Sequence, residues 1–192
     1  MTEIKIEKKK SIFPWILLAL GIIAAIWFLF FRNQEVVEPM ETETTRENTQ
    51  VSESNSAVNA YLMFIEDTEA DMGLDHEYTN DALMKLTNAV EAKASETNFD
   101  VSDNIMKAKQ IAEEITKDPM SKDHANKIRS AADILSSSMH NMQKEKFSNL
   151  TAEGNAVKTA AESIDPATLT LDQKDAVKSF FRTSAELLKK MN

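Results

Sequence analysis

The sequence predicts an all-α protein: a single N-terminal transmembrane helix, a flexible linker, and an antiparallel up-and-down helical bundle of four main helices with short accessory ones. Three observations predict it. Twenty consecutive uncharged residues occupy positions 12–31, apolar residues from position 56 onward recur at helical spacing, and Val and Ile nowhere alternate with polar residues over a useful length. The implied order is a cytoplasmic tail at 1–11, a membrane span at 12–31, an acidic flexible linker at 32–55 and an extracytoplasmic bundle at 56–192.

The span runs from Ile12 to Phe31 as "IFPWILLALGIIAAIWFLFF". As a helix it is about 30 Å long, the thickness of a bilayer's hydrocarbon core. A cleaved signal peptide has a shorter apolar stretch ending at small residues, whereas this run continues into "FLFFRNQ". Lys5, Lys8, Lys9 and Lys10 precede it, while only Arg32 and Arg46 follow before the bundle, so the amino end is expected in the cytoplasm. Trp15 and Trp27 lie toward the two ends as interfacial anchors, and Pro14 sits in the first turn, where its missing N–H is tolerated. Gly21 and Ala25, one turn apart, permit close approach of a second span and hence a homodimer.

The linker, "NQEVVEPMETETTRENTQVSESN", is rich in Glu, Thr, Ser and Asn, with too little apolar surface to offset the entropy of ordering. As a flexible coil it reaches about 25–30 Å. Helical spacing begins after it. Val58, Tyr61, Leu62 and Ile65 mark a first helix; Leu83, Leu86, Val90 and Ala94 a second over 75–95; Val101, Ile105, Ala108, Ala112 and Ile115 a third over 100–117. Pro119 ends the third. A fourth, from 121, aligns Ala125, Ile128, Ala132, Leu135, Met139 and Met142. "KEKFSNLTAEGN" then reads as an interruption, with Asn149 and Gly154 as breakers, before a short helix through "AVKTAAESI". The last helix covers 171–190, turning Val177, Phe180, Phe181, Ala185, Leu187 and Leu188 inward, and Thr170 with Gln173 has capping-box spacing.

Charge divides at the membrane. Of the chain's 22 basic and 31 acidic residues, five and two lie in 1–32, so that segment carries +3 and the remainder −12. An acidic bundle lacks the basic surface that nucleic-acid phosphates require, and anionic headgroups repel it. The absence of cysteine excludes disulfides, thiolate chemistry and Cys-ligated metal. No Gly-rich phosphate loop, nucleophile elbow or kinase set is present, so no enzymatic activity and no cofactor are expected. An eleven-residue tail holds no signalling domain, which places the work of the protein outside. The expected function is protein binding, as a scaffold, adaptor or modulator of another envelope protein.

One echo points elsewhere. "MGLDH" at 72–76 and "MSKDH" at 120–124 share Met-x-x-Asp-His in a chain with three histidines. If successive helices run up, down and up, His76 and His124 meet at one end of the bundle, with Asp75 and Asp123 adding carboxylates. Two imidazoles and carboxylates are donors for a divalent metal, which makes a metal- or ligand-sensing bundle the alternative function. Glu-x-x-His is absent, since Gly73, Ser121 and Ser137 stand three before the histidines, and this removes the di-iron bundle signature. The plainer reading makes Asp75 and Asp123 (or Ser121) helix N-caps. His140, toward the other end of its helix, is expected to face solvent.

Overall fold

The computed structural model describes residues 43–67, 72, 76–117 and 121–192, with side chains from Val51 onward. The span at 12–31, its Gly21 and Ala25, the linker residues 32–42, and Asp71, Gly73, Asp75, Pro119 and Met120 lie outside the described residues. Among the described residues the chain is all helical: α1 (Glu43–Glu66), α2 (Glu77–Glu96), α3 (Ser102–Ile115), α4 (His124–Lys146), α5 (Thr151–Glu162) and α6 (Lys174–Lys190), with 3-10 turns at Ser148–Leu150 and Thr170–Gln173. No helix among these residues is long and apolar enough to cross a membrane.

Each helix packs on the next, and α6 returns to α1. Side-chain pairs fix the directions. Lys109 of α3 reaches Glu91 of α2 at 2.6 Å. Asn104 and Ser138 join α3 to α4 at 3.0 Å, and Glu114 and Lys127 join them again at 3.6 Å. Arg129 of α4 meets the carbonyls of Glu162 and Ile164 beyond the end of α5. Thus α2 to α6 alternate in direction, and α2 and α4 begin at the same end.

The apolar stripes read from the sequence are the buried ones. Leu83, Leu86 and Val90 of α2, Ala112 and Ile115 of α3, and Ile128, Leu135 and Met142 of α4 are inaccessible, as are Phe180, Phe181, Leu187 and Leu188 of α6. A large side chain buried in this way contributes about 1.5–3 kcal/mol. Alanines between them, including Ala82, Ala89, Ala131, Ala132 and Ala161, let helix axes approach closely.

Four local expectations are corrected. First, the flexible linker was expected to reach residue 55, whereas α1 is already helical from Glu43, and Ser54 is buried beside Val58 and Tyr61. Once 54–65 is packed, each further residue adds one hydrogen bond without a new nucleation cost, so a polar sequence continues the helix. Second, Gly154 is not a breaker but lies inside α5. A Cβ there would stand 2.6 Å from Gln143 Oε1. Gln143 is wholly buried and its Nε2 donates to Phe147 O at 2.9 Å, so it has no free path outward. The glycine is a packing requirement where α4 and α5 meet.

Third, Thr170 and Gln173 do not form a capping box. Gln173 turns back instead: its Nε2 donates to the carbonyls of Asp165 and Thr168, both at 2.7 Å, and its Oε1 accepts from Asp165 N–H at 2.8 Å. Asp165 also accepts from Thr168 Oγ1 and Ala167 N–H, and these bonds hold its carboxyl below the usual carboxylate range. A ready-made turn through Pro166 outcompetes the cap. Fourth, His140 is half-buried rather than solvent-facing, with Nδ1 shielded.

Two buried polar side chains tie distant segments together. Tyr61 Oη donates to Phe181 O at 2.7 Å, pinning α1 to α6. Lys93, fully buried in the last turn of α2, donates to Glu96 at 2.7 Å and to Asn192 Oδ1 at 3.0 Å. A buried ammonium is tolerated only when paired in this way.

Substituting Gly154→Ala should destabilise the chain by about 1–3 kcal/mol in denaturant unfolding, although alanine is the better helix former; unchanged or increased stability would show that the helices can part there freely. The chain's two tyrosines permit a second check. Burial, then nearby Tyr78, pushes the Tyr61 phenol well above its ordinary 10.0, and burial also raises Tyr78 against the lowering effect of Arg182. The folded state thus favours the neutral phenols, so their contribution is complete below pH 10 and is lost as pH rises beyond it. Absorbance at 295 nm should show the folded chain ionising later than the urea-unfolded chain, and Tyr61→Phe should lessen the alkaline loss of stability.

Candidate functional site

His76 and His124 meet. His76 precedes α2 and His124 opens α4, the two helices that start at the same end of the bundle. His124 Nδ1 lies 2.8 Å from His76 Nε2, the rings are edge to face at 74°, and their centroids are 4.1 Å apart. Both are buried, at 6% and 4% exposure. Of the neighbouring methionines, Met72 is buried in the core.

The backbone is bent to make this contact. His76 adopts φ 59 and ψ 16, in the left-handed region. Outside glycine this region costs about 1–2 kcal/mol per residue, although histidine tolerates it better than most side chains. Asn98, the other residue with positive φ among those described, has an ordinary explanation. It ends α2, where Phe99 N–H returns to Ala94 O at 2.8 Å and Asn98 N–H to Ser95 O at 3.2 Å. His76 instead stands at a helix start.

Asp123 does not act as the plain capping account requires, while Asp75 lies outside the described residues. Neither His76 nor Asp123, at the N-cap positions of α2 and α4, makes a side-chain cap hydrogen bond. Asp123, at the N-cap position of α4, is exposed and accepts from Asn126 Nδ2 at 3.0 Å, while its own N–H is received by Ser121 Oγ at 3.2 Å. Among the described residues no third His, Asp or Glu completes a metal-binding group with the two imidazoles.

Chemically, the contact holds a proton between two neutral rings or presents two lone pairs to an electrophile. A straight N–H···N bond would hold the ring centres about 5 Å apart, because hydrogen bonds prefer near-linear geometry. At 4.1 Å the rings are inclined and the bond is bent. His124 Nε2, on the far side of its ring, is buried with no hydrogen-bond partner among the described residues. As donor or acceptor, it carries a desolvation cost of about 1–3 kcal/mol.

His140 belongs elsewhere. Sixteen positions along α4 from His124, it is about 24 Å away at helical rise. Among the described residues, open grooves of the bundle surface include two that neither His76 nor His124 lines. One, of about 520 Å³, runs between α2 and α3 over Phe99, Val101, Ile105 and the exposed Met106. The other, of about 420 Å³, lies between α1 and α6 over Leu62, Ile65 and Ala185, edged by Glu66, Arg182 and Lys189.

Comparison of the chain with protein-family models, with curated proteins and with solved structures finds no match.

The inclined His–His contact and the left-handed backbone at His76 were not visible in the sequence. The repeated Met-x-x-Asp-His was the available signal, and topology converted it into proximity. Because residue 76 must hold a positive φ, His76→Gly should be about 1 kcal/mol more stable than His76→Ala in urea unfolding. Equal stabilities would mean that the left-handed conformation carries no strain.

Proposed function

We propose that this chain is a single-pass membrane protein whose acidic helical bundle stands outside the membrane and acts by binding another envelope protein. The observation that carries the reading is the run from Ile12 to Phe31, with four lysines before it and a chain of net −12 from residue 33 onward. The helical bundle supports it in two ways. Its apolar stripes are satisfied internally, leaving a charged surface suited to water and not to lipid. That surface also carries ion pairs at helix ends, such as Lys190 with Glu153 and Lys189 with Glu66, which are worth little to folding and leave charge open to a partner.

The role is that of a scaffold, adaptor or modulator. A catalytic role would require convergent polar groups in a pocket, and both described grooves are lined mainly by apolar and surface-charged side chains.

Two measurements test the reading. The full chain should stay with membranes through alkaline carbonate extraction, while protease added to the outside of intact cells should digest the bundle. Release by carbonate, or protection of the bundle until the membrane is opened, overturns the topology. In-cell cross-linking of the full chain should then capture an envelope protein that is lost when residues 56–192 are replaced by an unrelated helical bundle. Capture unaffected by that replacement, or no capture, overturns the binding role.

A further inference from the structure

The geometry points to a transition-metal site at the paired end of the bundle, with His76 Nε2 and His124 Nδ1 as adjacent, cis ligands of one divalent ion. Two features at one spot exceed what a structural hydrogen bond needs: a left-handed backbone at His76 and rings inclined away from a straight bond. A pair selected for packing alone could be replaced by apolar side chains without these costs. Local rules broken together, on two elements 48 residues apart, are characteristic of a functional site.

The distance indicates which ion. Metal–imidazole bonds are about 2.0–2.1 Å long, so nitrogens 2.8 Å apart subtend about 85° at a shared ion. That is the cis angle of square-planar or octahedral coordination, the preference of Ni²⁺ and Cu²⁺. Tetrahedral zinc would require the nitrogens about 3.3 Å apart. The inclination of the rings agrees with this arrangement, because two lone pairs leaning together converge on a point beside the N···N line. The remaining positions fall to water or to an added ligand. The partial positive charge at the starts of α2 and α4 opposes the ion modestly, which suits reversible binding better than a permanent structural metal. The inference is independent of where the chain resides and of any protein it binds.

Tag-free full chain in detergent micelles, stripped with chelator, is titrated with Ni²⁺ and with Zn²⁺. One Ni²⁺ per chain is expected, bound more tightly than Zn²⁺. His76→Asn, which tolerates the left-handed backbone, and His124→Gln should each weaken Ni²⁺ at least tenfold, while His140→Gln should leave it unchanged. Because unfolding of a variant would also lower its affinity, histidine-directed ¹⁵N NMR of the unaltered chain provides the second reading: paramagnetic Ni²⁺ should broaden His76 and His124 and spare His140. Absence of stoichiometric Ni²⁺, equal broadening of all three histidines, tighter binding of Zn²⁺ than Ni²⁺, or retention of affinity in both folded variants would each overturn the site.

Discussion

Ala82, Leu83, Leu86, Ala89 and Val90 are closed to solvent because α2 is enclosed by α1, α3, α4 and α6, and those four helices take their places from that enclosure. Burying so much of one helix is feasible only because small side chains alternate with large ones along it. Alanines at 82, 89 and 94 admit neighbouring helices, and leucines at 83 and 86 fill the space between them. Thr87, also buried, stays satisfied by donating to Leu83 O at 2.7 Å within its own helix. Lys93, at the end of the enclosed stretch, is neutralised where α2 emerges. The two ends of the bundle follow: α2 must begin beside α4, which brings His76 to His124, and must end beside the last residues of the chain.

The division of labour between those ends is chemical. At the end holding the carboxyl terminus of α2, the polar groups that close the helix are matched. Lys93 has Glu96 and Asn192, and Thr97 Oγ1 caps Lys93 O at 2.9 Å. At the other end α5 is also finished well, with Arg129 placing its guanidinium on the carbonyls of Glu162 and Ile164, where the helix dipole favours a cation. The junction of the two histidines departs from this thrift, and it does so with a side chain that carries one donor and one acceptor nitrogen when neutral.

Periodicity made the core legible. The buried faces of α2, α3, α4 and α6 coincide with the positions spaced three and four apart, because amphipathic helices declare the side they bury. Adjacency of His76 and His124 was legible as well, by counting helix directions from short loops. Pairwise events were not. That Gly154 is needed by Gln143, that Gln173 prefers the Asp165 turn to a cap, and that Lys93 is buried all depend on one side chain meeting a specific partner outside its own turn of helix. No local pattern encodes such a meeting. The early start of α1 was hidden for a different reason, since a polar stretch becomes helical by continuation from a packed neighbour and carries no stripe of its own.

The attachment of α1 has a mechanical meaning. Among its described side chains Ser54, Val58 and Tyr61 are buried and Leu62, Phe64 and Ile65 partly covered. They fasten α1 to two helices at once: to α6 through the Tyr61–Phe181 bond, and to α2 through the stack of Phe64 on Tyr78, at 5.4 Å between centroids. Tension arriving along α1 is therefore shared between the enclosed helix and the last one, with the Tyr61 phenol as a rivet to α6.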